Sequence, residues 1–228
     1  MMDFSSRNVT LTVGHEFSSI ALLSGVVGTV FDSAQLSTSA TTSRLSDTSE
    51  FPYFTRIAPS ITSQVFALVD SLRFYSEASG PDWATVAILS QTNYGLDLAD
   101  GFIAETEGEF TVASYQQFLF DANDLTVELQ ETQRSGARVI LAFVFDIKWE
   151  FVITSADEFD LVGENFVWFS ASALAVGRAF ATFEDNILEL SRGVQATAGY
   201  VPRDNQKYFD FLKLWTSVDP NEYPAAGP

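Results

Sequence analysis

Short apolar runs alternate with longer amphipathic stretches along most of the 228 residues, and this order constrains the chain more than any single motif does. Arg138 to Phe145 (RVILAFVF) is the clearest run: far too short to span a bilayer, and apolar from Val139 onward, as a strand buried on both faces must be. Such a strand needs helices above and below it, and the amphipathic stretches supply them. The pattern therefore predicts an α/β fold with parallel sheets flanked by helices and joined by handed crossovers.

Val9 to Gly14 (VTLTVG) is expected as a strand. A helix over Ser18 to Phe31 follows, with Ile20, Leu23, Val27 and Val30 near helical spacing as its apolar side. Gln35 to Ser39 fits the next strand, Ser43 to Pro59 a loop, and Ser60 to about Glu77 a helix packed through Val65, Leu68, Val69, Leu72 and Tyr75. Further strands are expected at Ala84 to Ser90, Phe110 to Tyr115, Arg138 to Phe145 and Asn165 to Ser170. The intervening helices are Tyr94 to Glu107, Leu125 to Gln133 and Lys148 to Leu161. Gly136 and Gly163 stand where two of these helices want a left-handed cap. Gly193 to Val201 fits a strand, and Gln206 to Trp215 a helix with Tyr208, Phe211, Leu212 and Trp215 on one face. The tail SVDPNEYPAAGP is expected as a loop or linker.

Composition removes several functions. Twelve Lys plus Arg against thirty Asp plus Glu give a net charge of -18, which repels phosphate backbones and anionic membranes. No nucleic-acid partner is expected. A small zwitterion is not excluded, because it meets the local field of a cleft. The chain has no cysteine and one histidine, His15, so thiol chemistry, His-based metal sites and histidine triads lack their parts. No dinucleotide or phosphate-loop motif is present, and neither an enzyme activity nor a cofactor is expected. The start MMDFSSRNVTLTVG lacks the pattern of a signal peptide.

Five motifs in order carry a resemblance. They are GHEFSSIA (Gly14 to Ala21), SATTSRLSD (Ser39 to Asp47), FPYFTRIAPS (Phe51 to Ser60), WATVAIL with NYG (Trp83 to Gly95), and ARVILAFVF with GENFVWF (Ala137 to Phe145 and Gly163 to Phe169). Together they resemble the ligand-binding domain of class C G-protein-coupled receptors, the Venus flytrap of the metabotropic GABA and glutamate receptors. The resemblance implies a type 1 periplasmic-binding-protein-like fold, in which two lobes with parallel sheets close on a ligand at a hinge. It implies residues 1–58 as part of lobe 1 with the first hinge crossing, 59–170 as lobe 2, and 171–228 as the return to lobe 1 and a C-terminal linker. The return crossing would fall near Ser170 to Leu174. The family's first lobe begins with several β-α units before the Ser-Ser helix, so the first lobe here is expected to be incomplete, as in a fragment, a truncated gene model or a degenerate copy.

The resemblance also implies a site. In glutamate-type receptors the matching Ser-Ser and S-A-T positions hold a ligand's α-carboxylate and α-amino group; here these are Ser18, with Ser19 beside it, and Ser39, Ala40 and Thr41. Hydroxyls and amides at a helix N-terminus suit a carboxylate, and the plain alternative for Ser18 is a helix N-cap. Tyr94 matches a tyrosine that lies over an ammonium, Phe145 the stacking aromatic of the metabotropic GABA receptor, and Asp146 its acidic neighbour. Near Ser172, an uncharged residue stands where glutamate-type receptors have the aspartate that binds the amino group. The chain is therefore expected to bind small amino acids weakly or not at all. The implied function is an extracellular receptor region, GABA-B-like, sensing a small amino-acid-like ligand, with a receptor dimer as one arrangement and the membrane reached only through a transmembrane part outside this sequence. A soluble periplasmic-type amino-acid-binding protein of a transporter and a natriuretic-peptide-type ectodomain are the alternatives.

Overall fold

The computed structural model describes residues 10–79, 81–92, 94–170, 182–197, 202–219 and 222. Two compact units divide the chain, Met1–Ala198 and Gly199–Pro228. The first holds two sheets. Strands β1 (Leu11–Val13), β2 (Ala34–Ser37) and β3 (Phe54–Arg56) form a three-stranded sheet in the order β1-β2-β3, with helix α1 (Ser18–Val30) between the first two strands. The larger sheet has the order β5-β4-β6-β7-β8, from β4 (Thr85–Gln91), β5 (Thr111–Phe118), β6 (Val139–Phe143), β7 (Val167–Ser170) and β8 (Gln195–Ala196). Helices α2 (Ile61–Ser79), α3 (Gly95–Glu105), α4 (Thr126–Arg134), α5 (Asp146–Asp157) and α6 (Asp185–Leu190) cover it. Every pairing in both sheets is parallel, which is the α/β architecture expected from the alternation.

The larger sheet explains its own sequence. Side chains alternate across a strand, so Val86 and Ile88 with Val139, Leu141, Phe143 and Phe169 face α2 and α3. Ala87, Leu89, Ile140, Ala142 and Trp168 face the opposite way, toward α4, α5 and α6. All five β6 residues are buried because both layers are filled. Fully burying each Val, Leu, Ile or Phe contributes about 1.5–3 kcal/mol, so this double layer dominates the stability. The expected side of α2 is the one buried: Val65, Leu68, Val69 and Leu72 are at most 2% exposed. Trp149 and Trp168 meet edge-on at 5.8 Å. Each indole N–H finds an acceptor, Ser191 Oγ and the Leu161 carbonyl respectively, both at 2.9 Å.

Helix α1 departs from its expected packing. Its buried residues are Ala21, Ser24, Gly25 and Gly28, while Ile20, Leu23 and Val30 are exposed, Leu23 at 71%. Hydrophobic spacing alone therefore chose the wrong side. The physical reason is close approach. A Cβ at Gly25 would lie 2.8 Å from the Phe51 ring, and one at Gly28 would lie 2.7 Å from the Ser33 carbonyl oxygen. Only small residues let the helix down onto β2 and the Phe51 segment.

Other boundaries move for similar local reasons. The expected loop 43–59 contains a 3-10 turn at Ser43–Ser46 and the strand β3, whose three residues are too few to show a period. Gly136 has φ +70° directly after α4, as a left-handed cap requires. Gly163 also has positive φ, but α5 ends at Asp157, so this glycine serves the turn into β7 and does not cap the helix. The short helix α6 had no clear signature in the sequence. Residues 9, 171–174 and 198–201 lie outside the described residues, and with them the start of the first expected strand, the return crossing and the end of the last strand.

In the second unit, helix α7 (Gln206–Ser217) begins at Asn205, whose side chain accepts the Tyr208 N–H at 2.9 Å. Phe211 and Trp215 lie one turn apart with ring centroids at 5.7 Å, and none of the twelve helical residues is buried.

The inverted face of α1 makes a direct test. Leu23→Lys is expected to change stability by no more than about 0.5 kcal/mol, whereas Ala21→Leu should cost about 1–3 kcal/mol, read as the shift in urea midpoint. Equal losses would contradict the orientation of the helix.

Candidate functional site

In the order β5-β4-β6-β7-β8 the chain leaves β4 toward one edge and returns to build the other, so neighbouring strands β4 and β6 send their connections to opposite faces. Crevices at such switch points, beyond the carboxyl ends of the strands, are where open α/β sheets bind ligands. Tyr94 follows β4 and Phe145 follows β6 at this point. Gly95 is required there: a Cβ would fall 2.4 Å from the Phe143 carbonyl oxygen and 2.5 Å from Ser90 Oγ. With that approach allowed, the Tyr94 and Phe145 rings stack at 4.2 Å with 26° between their planes. The Phe145 backbone N–H donates to Gln91 Oε1 at 3.0 Å, fixing the start of α5.

The facing side is built from the start of α1 and the loop after β2. Ser37, fully buried, organises that loop: its hydroxyl donates to the His15 carbonyl at 2.8 Å and accepts the Ala40 N–H at 3.0 Å. Arg56 holds the same loop from β3, donating to the carbonyls of Thr42 at 2.7 Å and Ala40 at 3.3 Å, and to Ser46 Oγ. Burial lowers the Arg56 pKa from its ordinary value, and the carbonyl dipoles replace lost water. The Thr41 carbonyl accepts the Ile61 N–H at 2.8 Å, tying the loop to the start of α2.

Ser18 is not the N-cap of α1. Phe17 takes that position, without a side-chain cap. The Ser18 hydroxyl instead accepts the backbone N–H groups of Thr41 and Thr42, each at 3.2 Å. Two further contacts join this side to the elements of the larger sheet. Thr42 Oγ1 donates to Asp97 Oδ2 on α3 at 2.5 Å, and Phe17 meets Phe145 edge-on at 6.3 Å.

Between the two sides lies a cavity of about 180 Å³ lined by Ser18, Ser19, Leu22, Thr41, Thr42, Ile61, Tyr94 and Asp97. Four of the residues singled out from the sequence, Ser18, Ser19, Thr41 and Tyr94, meet here. The others do not line it. The Ser39 hydroxyl donates to the Glu16 carbonyl at 3.3 Å, and Ala40 is fully buried in a small core with Ala21, Leu45 and Phe51. Phe145 backs Tyr94, and the Asp146 carboxylate accepts the Ile147 N–H at 2.9 Å. Ser172 lies outside the described residues.

Sequence reading missed Leu22, Thr42, Ile61 and Asp97. Asp97 was within reach of it, since three residues after Tyr94 is the same side of a helix. A second cavity of about 260 Å³ shares Ile61 and Asp97 and continues along α3 past Asp100 and Glu105. A wider groove of about 520 Å³ lies apart from these, between the start of α4 and the length of α5, with Asp124, Glu150 and Glu158 among its lining. Volume does not select the site. The smaller cavity is the one with hydroxyls, an aromatic ring and a carboxylate at the switch point.

Comparison with known proteins identifies the family. Mouse metabotropic glutamate receptor 4 is 26% identical over 173 residues, which is 73% of this chain and 18% of the receptor. The probable metabotropic glutamate receptor mgl-1 of Caenorhabditis elegans is 29% identical over 148 residues, 60% of this chain and 14% of that protein. The chain thus spans less than a fifth of the length of these curated relatives. The receptor family ligand binding region matches residues 1–222. With nearly its whole length matched and metabotropic glutamate receptors among its relatives, the chain belongs to the receptor family ligand-binding region.

Proposed function

We propose that the chain is part of the extracellular ligand-binding region of a class C membrane receptor, and that it senses a small amino-acid-like molecule in the cavity at the switch point. In this reading residues 1–58 contribute to one lobe, 59–170 together with α6 and β8 of the larger sheet form the second, and closure of one on the other carries the signal. The observation that supports it most is the cavity's lining: Ser18, Ser19 and Thr41 from one side stand opposite Tyr94 from the other. Hydroxyls facing an aromatic ring suit a ligand with a polar end and a cationic end. No helix among the described residues is long and apolar enough to cross a membrane. Membrane attachment therefore belongs, in this proposal, to another part of a longer receptor.

Affinity should be low. The Ser18 hydroxyl already accepts two backbone N–H groups, and a ligand oxygen seeking those donors competes with it. A dissociation constant near about 1 mM corresponds to only about 4 kcal/mol of binding, which few contacts supply. A GABA-B-like preference would rank 4-aminobutyrate above glutamate and glycine. Titration of the purified chain with these three amino acids, followed by NMR shifts, is expected to saturate in the millimolar range. Tyr94→Ala and Ser18→Ala should each weaken binding severalfold. Failure of all three to bind, or indifference to both substitutions, would overturn the proposal.

Arg56 gives a second test, because it positions the loop without entering the cavity. Arg56→Met leaves the Ala40 and Thr42 carbonyls without their charged donor, and should cost about 1–3 kcal/mol in a denaturant titration while also weakening ligand binding. Arg56→Lys, which loses the planar fork, is expected to recover only part of the stability.

A further inference from the structure

The cavity at the switch point contains one formal charge, and it is negative. Asp97 is the sole ionisable acid or base among the eight lining residues apart from the Tyr94 phenol. Its carboxylate stands on α3, one turn from Tyr94, and reaches toward the loop of the smaller sheet. Thr42 Oγ1 donates to Oδ2; among the described residues, Oδ1 makes no hydrogen bond. A carboxylate with a free acceptor, facing a small polar cavity beside an aromatic ring, is built to receive a cationic donor.

We propose that Asp97 is the cation anchor of the cleft, so that its ligand is a small amine recognised by pairing of ammonium with carboxylate. The inference rests on the cleft being the ligand site. It also gives closure an energetic origin: Asp97 belongs to the larger sheet's helices and its partner Thr42 to the smaller sheet's loop, so an ammonium bound between them gains contacts only when the two sides are together. The overall charge of -18 acts in the same direction by raising the local concentration of cations.

The test compares amines with the acids that lack the amino group: 4-aminobutyrate against butyrate, and glycine against acetate. Binding to the full 228-residue chain is followed by NMR shifts. The wild-type chain should bind each amine at least about tenfold more tightly than its counterpart. Asp97→Asn keeps size and an acceptor for Thr42, and is expected to weaken amine binding by about tenfold to a hundredfold, to the level of butyrate and acetate. Thr42→Val removes the hydrogen bond but keeps the charge, and should retain the preference for amines. An unchanged thermal unfolding midpoint for Asp97→Asn establishes that the variant is folded. Equal binding of amines and their counterparts by the wild-type chain, or a preference that survives Asp97→Asn, overturns the role of Asp97; if that binding still depends on Ser18, the cleft itself stands. Absence of binding by every probe overturns both.

Discussion

The pairing of β4 with β6, buried on both faces, is the constraint from which the rest of the molecule follows. Five consecutive register pairs, Val86 with Val139 through Ser90 with Phe143, bring two apolar strands side by side with no wet surface between them. Their backbone polar groups are satisfied by the ladder, and their side chains by helices above and below. That leaves the carboxyl ends as the place where polar chemistry can gather. Ser90, Gln91, Tyr94 and Phe145 all stand there, and the close contact at Gly95 draws the two connections together. A site at the end of this pair is a consequence of burying its middle.

The smaller sheet works by different physics. Its three strands are short, its core among the described residues is small, with Ala21, Ala40, Leu45 and Phe51 buried and Leu22 and Phe54 packed against them, and many hydrogen bonds order it. Ser37, Arg56 and Ser18 each tie groups from separate segments into the loop after β2, and Gln35 ties β2 to α1 through Ser24 and to the Gly14 carbonyl. Polar bonding of this kind fixes geometry well and contributes modest net stability, about 0.5–1.5 kcal/mol per neutral bond. A rigid apolar body and a loop held by polar contacts thus face each other across the cavity, and the loop is the part whose shape a ligand alters at lower cost.

What was legible in the sequence follows this division. The long strands and helices of the larger sheet could be read because two-sided burial writes continuous apolar runs, and α2 shows its buried side at helical spacing. Helix α1 could not, because it packs through Ala21, Ser24, Gly25 and Gly28, and a hydrophobicity pattern gives glycine no weight. The motif positions Ser18, Ser19, Thr41 and Tyr94 do gather around one cavity, and it was the resemblance of their motifs to a receptor family, not their local pattern, that singled them out. Ala40, in the same motif, is core. Thr42 and Asp97 escaped notice because their significance is a contact between residues 55 apart, which no local spacing reveals.

The small face of α1 has a mechanical consequence. Gly25 lies seven residues along the helix from Ser18, about 10 Å at the usual rise. A helix of this length moves as a rod, so the clearance at one point sets the height of its tip. A methyl group added where Gly25 rests on Phe51 would lift the rod and carry the Ser18 hydroxyl away from the amides of Thr41 and Thr42. The width of the cleft is thereby encoded at a remote fulcrum, in a residue that touches neither the cavity nor anything bound in it.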